Sequence, residues 1–290
     1  ALAGQHDARA GLASWETWWS LNEDQLLGAS PSAGQAQSRV EPFLTGRGRQ
    51  TSAADASAPP RDRIATALRD LMARETDSEL CDSICVALGR VTEPQQSAVT
   101  QKTLRAALHH EALSVRTAAT LGLGALGARD ALPLLSALMA DTSSGRQAVG
   151  GGSVPWQVRS YAALALGLVG DELAAPFLED IALHAPAADR ELRVSAVVSL
   201  GLLEGADDSR GGLLAVLNDD RQDVVLRCHA AWALARRGDA SALPGLHSLL
   251  VARGTDAHLR RSLVLALGQL GQVNQASIVE SLTQIVLKDS

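Results

Sequence analysis

His109, His110 and Glu111 form the sequence's nearest approach to a metal-binding cluster. Two imidazoles and one carboxylate fall short of an iron or zinc coordination sphere, and adjacent helical positions point about 100° apart. Gly122, Gly124 and Gly127 fit the G-x-G-x-x-G spacing that cradles a dinucleotide pyrophosphate. That chemistry needs a preceding strand and a helix amino terminus aimed at the phosphates. Here the glycines end an Ala- and Leu-rich helical run, so they read as a helix stop. Gly46-Arg47-Gly48-Arg49 lacks the spacing and lysine of a phosphate loop. Cys81, Cys85 and Cys228 are an odd set without disulfide or zinc spacing. Cys81 and Cys85, four apart, read as small buried helix residues. No nucleophile elbow, H-E-x-x-H or paired C-x-x-C occurs. The expectation is a chain with no catalytic, cofactor-binding or metal-ligating residues, no cofactor and no enzymatic activity.

Composition narrows the partners. The 290 residues are 46% apolar and 20% charged, with formal net charge −6. That is enough apolar material for a sizeable core and too little charge for a disordered chain. The acidic balance argues against nucleic acid, whose binding needs clustered Lys and Arg. No apolar run approaches the length of a membrane span. No charged segment followed by an apolar stretch marks a signal peptide within the sequence.

The positioning elements emerge from self-similarity. A phrase of branched apolar residue, Arg, Ala-rich stretch and Leu-Gly begins at Leu80, Val115, Val158, Leu192, Leu226 and Leu259. The starts lie 33 to 35 residues apart, except for one gap of 43. Each phrase predicts a helix of roughly 13 residues stopped by glycine at its end. A shorter amphipathic segment precedes each one, at 64–72, 103–108, 131–140, 174–183, 212–217 and 242–251, and 276–287 opens a seventh unit. Pro133, Pro176 and Pro244 suit the first turns of three of these. Nothing in the repeats alternates with period two, so the fold class is all-α, with no sheet.

These residues resemble HEAT repeats, paired antiparallel helices whose second member opens with Val-Arg or Leu-Arg. The resemblance covers residues 61–290 and implies an α-α superhelix of about six helical hairpins. It further implies a structural ladder in which Arg116, Arg159, Arg193, Arg227 and Arg260 pair with acids of the turns, the candidates being Glu111, Asp189, Asp223 and Asp256. The first repeat departs, with Cys81 at the arginine position, as end repeats often do. Residues 15–27, 43–48 and 154–170 resemble a group of uncharacterised bacterial HEAT-repeat proteins in which a Trp-Trp-x-x-Asn segment precedes the repeats. That group implies export after loss of a signal peptide. Deoxyhypusine hydroxylase is also built of HEAT repeats and uses several His-Glu pairs on two irons, whereas the pair here stands alone. Bilin lyases of the HEAT-like class carry no short motif by which to exclude them.

Two parts lie outside the repeat. Residues 1–60 form an extension of Gly-, Ser- and Gln-rich linkers around a short helix at 14–27. There Trp15, Trp18 and Trp19 share a face, as a cap on the first repeat or as a partner anchor. The gap of 43 places about nine surplus residues at 141–155, a Gly-rich insert between the two helices of one hairpin. It is either a solvated loop or a binding element, with Arg146 and Trp156 as its recognition side chains. The functional expectation is a protein-protein interaction scaffold using the concave repeat surface and the 141–155 insert, with self-association through 276–287 as a further possibility. The alternative is a HEAT-like enzyme or chromophore-binding protein with His229, Trp232 and Tyr161 around a pocket.

Overall fold

A computed structural model describes residues 61–203, 209–238 and 240–271. The expected tryptophan helix, with Trp15, Trp18 and Trp19, and the 276–287 segment lie outside the described residues. Every regular element among the described residues is helical. The first helices of the hairpins are α1 (Arg61–Met72), α3 (Ser97–Ala107), α5 (Leu132–Met139), α8 (Ala175–His184), α10 (Ser209–Asn218) and α12 (Leu243–Val251). Their partners are α2 (Ser78–Val91), α4 (Leu113–Ala125), α7 (Trp156–Val169), α9 (Arg190–Leu202), α11 (Val224–Arg236) and α13 (Ala257–Gly271). One helix remains, α6 (Ser143–Ala148), inside the insert. This is the all-α solenoid of helical hairpins that the repeat implied. Each second helix begins two residues before its phrase. Pro133, Pro176 and Pro244 sit in the first turns of α5, α8 and α12, where the missing amide hydrogen costs nothing.

The described residues fall into two compact units, 61–162 and 163–271. In the first, α2 packs on α4, and Ile84, Leu88, Leu104 and Leu123 are fully buried between the hairpins. In the second, α9 packs on α11 and α11 on α13, around Leu200, Leu234, Leu246 and Leu263.

Most glycines of the Leu-Gly pairs are not helix stops. Gly89, Gly122, Gly167 and Gly201 lie inside their helices and mark where one second helix meets the next. A Cβ on Gly89 would meet the Gly122 carbonyl oxygen at 2.4 Å, and one on Gly201 would meet Ala233 Cα at 2.8 Å. A Cβ on Gly167 would lie 2.7 Å from Ser199 Cα, and the Ser199 hydroxyl donates to the Ala163 carbonyl at 2.8 Å. The stops are other glycines: Gly127, Gly170 and Gly238 follow their helices in the left-handed region, with φ +66°, +71° and +67°. In the G-x-G-x-x-G run, Gly122 is therefore a packing residue and Gly127 alone a terminator.

Gly89→Ala is expected to destabilise the protein by about 2–3 kcal/mol, because backbone atoms cannot step aside. Gly245, inside α12 with nothing within 4 Å of an added Cβ, is expected to be neutral or up to about 1 kcal/mol more stable as alanine. Thermal melting of the two variants checks the contrast.

Candidate functional site

The aligned arginines lie where the sequence places them, and four of them donate to backbone carbonyls. Arg116 Nε donates to the His110 carbonyl at 2.6 Å, Arg159 Nε to Met139 at 3.0 Å and Arg227 Nε to Leu217 at 2.9 Å. Arg193 donates through Nε and Nη2 to the Ala182 carbonyl at 3.1 and 2.8 Å. Each acceptor ends, or just follows, the first helix of the same hairpin, where carbonyls lack intrahelical partners and a cation meets the negative end of the helix dipole. Arg193 also reaches the next hairpin, donating to Gln222 Oε1 at 2.6 Å. Burial depresses its guanidinium pKa, against the opposing fields of Asp223 and Asp219. Arg260 Nε is buried and finds no acceptor.

The acids expected to answer these arginines serve mainly as helix caps. Asp223 accepts from Val225 N at 2.8 Å, and Asp256 from His258 N at 2.8 Å. Asp223 also pairs with Arg190 of the preceding hairpin at 3.4 Å. Glu111 is exposed, and only its backbone carbonyl accepts from Arg116, at 3.4 Å.

The insert is a built structure rather than a loose loop. Thr142 accepts from Gly145 N at 3.3 Å and caps α6. Gly145 is pressed on α5 so closely that a Cβ would meet the Ala137 carbonyl oxygen at 2.1 Å. Asp141, with φ +51°, closes the segment. Its Oδ1 accepts from Arg146 Nε at 3.0 Å and Val154 N at 2.7 Å, and its Oδ2 from Arg146 Nη2 at 2.8 Å. The Arg146 hydrogen bonds foremost, together with Val154 N and the field of Arg159, hold the Asp141 carboxyl below its ordinary range. Val149 and Val154 are buried, and Gly150, Gly151 and Gly152 all take positive φ to turn the chain between them. The result is an open hollow lined by Asp141, Ser143, Arg146, Gln147, Gly150 and Gly151. Trp156, two residues beyond Val154, begins α7 with 48% of its surface exposed.

The remaining polar candidates are tied by hydrogen bonds, exposed singly, or held in their neutral form by burial. His110 Nδ1 accepts from Ala112 N at 3.0 Å, and His109 and Glu111 are exposed. Among the described residues no group of three potential ligands converges on a metal position. Burial raises the thiol pKa of Cys81 and Cys228 and pushes Cys85 up to about 12, which keeps all three protonated and poorly nucleophilic. His229 packs edge-on against Trp232, ring centroids 5.9 Å apart. Loss of solvation, then the charge of Arg190, lowers its imidazole to about 4. Tyr161 is held above its ordinary range by burial.

Residues 211–290 match a family model of HEAT repeats, and residues 115–141 match a model of PBS lyase HEAT-like repeats. The chain carries HEAT repeats over these residues. It is similar to the solved human deoxyhypusine hydroxylase in complex with glycerol, at 21% identity over 79% of this chain and 93% of that one, with a TM-score of 0.35. No curated protein matches the chain. The expectation that the chain is not an enzyme is corrected, because residues 115–141 match repeats named for a lyase. Lack of a short catalytic motif is no ground for excluding catalysis here. No helix among the described residues is long and apolar enough to cross a membrane.

The lowered pKa of His229 has a definite sign. Unfolded chains take up a proton near pH 6.5 that the folded imidazole refuses until about pH 4. Its contribution is therefore complete above pH 6.5 and drains away as pH falls from 6.5 towards 4, by an amount on the order of 3 kcal/mol. His229→Gln is expected to flatten the fall in melting temperature between pH 7 and 4.5. An unchanged slope would show the ring to be solvated. Gly145→Ala is expected to loosen the insert, seen as faster amide exchange at 143–154 and a loss of about 1–3 kcal/mol.

Proposed function

We propose that this chain is a helical-repeat scaffold that grips a partner protein at the 141–155 insert and the adjoining Trp156. The observation that carries this reading is the built insert: a capped helix, a closing aspartate and two buried valines spent on holding an exposed edge in one shape. A solvated spacer would need none of these. Trp156 supplies the large, half-exposed aromatic surface that dominates many protein contacts. Hairpins that touch mainly their neighbours leave surface positions free to specialise.

A photoreactive residue at position 156 is expected to capture a discrete protein in cells, whereas the same group at exposed Ala67 is not. Trp156→Ala is expected to weaken binding of the captured protein by about tenfold with its melting unchanged. Equal capture from both positions would overturn this reading.

A second reading, a lyase-like chromophore or metal site, draws on the match of residues 115–141 and on the neutral, half-buried His229 beside Trp232. Visible absorbance or stoichiometric iron in protein purified from its native cell would favour it, and a colourless, metal-free preparation would count against it.

A further inference from the structure

The insert's hollow is built from hydrogen-bond donors that the protein itself leaves unused. Arginine carries five N–H donors in a fixed fork. Arg146 spends Nε and one Nη2 hydrogen on Asp141, and its side chain makes no other hydrogen bond. Its side chain is 52% exposed. The pair with Asp141 is bidentate, so the guanidinium is held at one orientation instead of sweeping through solvent. Nη1 and the second Nη2 hydrogen therefore point away from Asp141, where a ligand can take them. Ser143 and Gln147 lie three residues before and one after Arg146, line the same hollow, are exposed, and make no side-chain hydrogen bond as donors. Asp141 spends both acceptor positions of Oδ1 on Arg146 Nε and Val154 N and one of Oδ2 on Arg146 Nη2, so the one acid of the lining keeps a single acceptor position and the spare groups of the hollow are mostly donors.

We propose that this hollow is a binding site for a single carboxylate, an Asp or Glu side chain of a partner protein, taken on the outer edge of Arg146 and flanked by Ser143 and Gln147. The proposal rests on the scaffold reading for its biological occupant, and on the lining alone for its chemistry. One negative charge fits better than two. The lining carries one Arg already paired with one Asp and no lysine, so a carboxylate adds a single uncompensated charge where a dianionic phosphate adds two. Open exposure makes the contact weak and salt-sensitive by itself. It acts as one determinant of a larger interface, setting which partner segment sits beside Trp156.

The test uses the full chain and fluorescence anisotropy with labelled peptides. One is Glu-rich and blocked at both ends, a second is a Gly-Ser peptide with a free C-terminal carboxylate, and the third is that Gly-Ser peptide as its amide. The blocked Glu-rich peptide is expected to bind, more weakly at ~150 than at ~20 mM salt, and the Gly-Ser amide is not. Arg146→Gln is expected to weaken binding by about tenfold. Because that variant also loses the Asp141 pair, a double Ser143→Ala, Gln147→Ala chain tests the hollow with the clasp intact, and it is expected to lose about threefold or more. Wild-type binding by the double variant, equal binding of the neutral amide, or tighter binding of a phosphoserine peptide would each overturn the assignment. Stronger binding of the free C-terminus than of the blocked peptide would overturn its side-chain source. A protein captured at position 156 but not displaced by the Glu-rich peptide sinks the carboxylate site alone. Glu-rich peptide binding without any captured protein sinks the scaffold reading and leaves the site standing.

Discussion

Backbone-to-backbone approach of the second helices is the constraint on which the rest of the structure depends. Where Gly89 faces Gly122 no side chain separates the helices, and where Gly201 faces Ala233 only a methyl does. Dispersion between closely packed atoms is small per pair and large in sum. The contact also fixes the distance at which the larger residues, Leu88 and Leu123 or Leu200 and Leu234, must interleave. A hairpin of this size has too little core to stand alone, so its stability is largely that of its contacts with neighbours.

Charge completes what packing begins, and it does so at helix ends. The repeated arginines satisfy carbonyls that close the first helices, while Asp77, Asp223 and Asp256 satisfy amides that open the second ones. Both kinds of group would otherwise be left with exposed or unmet polar ends. Arg237 extends the pattern between hairpins, donating from Nη1 to the carbonyls of Leu200 and Leu203 at 3.1 and 3.0 Å. The hairpin corners are thus polar joints, and the Gly-spaced helix faces are apolar ones.

Much of the architecture was legible in the sequence because translational repetition multiplies weak local signals. Six registered phrases place the second helices to within two residues. The Leu-Gly pairs misled for a physical reason: glycine near a helix end serves equally as a left-handed stop or as a site of close approach, and only the neighbour distinguishes them. Likewise, an acid just upstream of an arginine looks like its ion-pair partner, yet the short side chain of Asp223 is better spent on its own helix amino terminus. The insert helix was hidden by poor intrinsic propensity in Ser143-Ser144-Gly145-Arg146. The exposure of Trp156 depends on long-range packing, which no local pattern encodes.

The position of the insert has an evolutionary consequence. It enters at a hairpin tip, between α5 and α7, and Arg159 still reaches Met139 across it. Lengthening the chain there leaves every tight helix face in register, whereas a single methyl at Gly89 or Gly201 would disturb two hairpins at once. Variation in such a protein should accumulate as additions at its corners, so that new recognition can be acquired without renegotiating the spine.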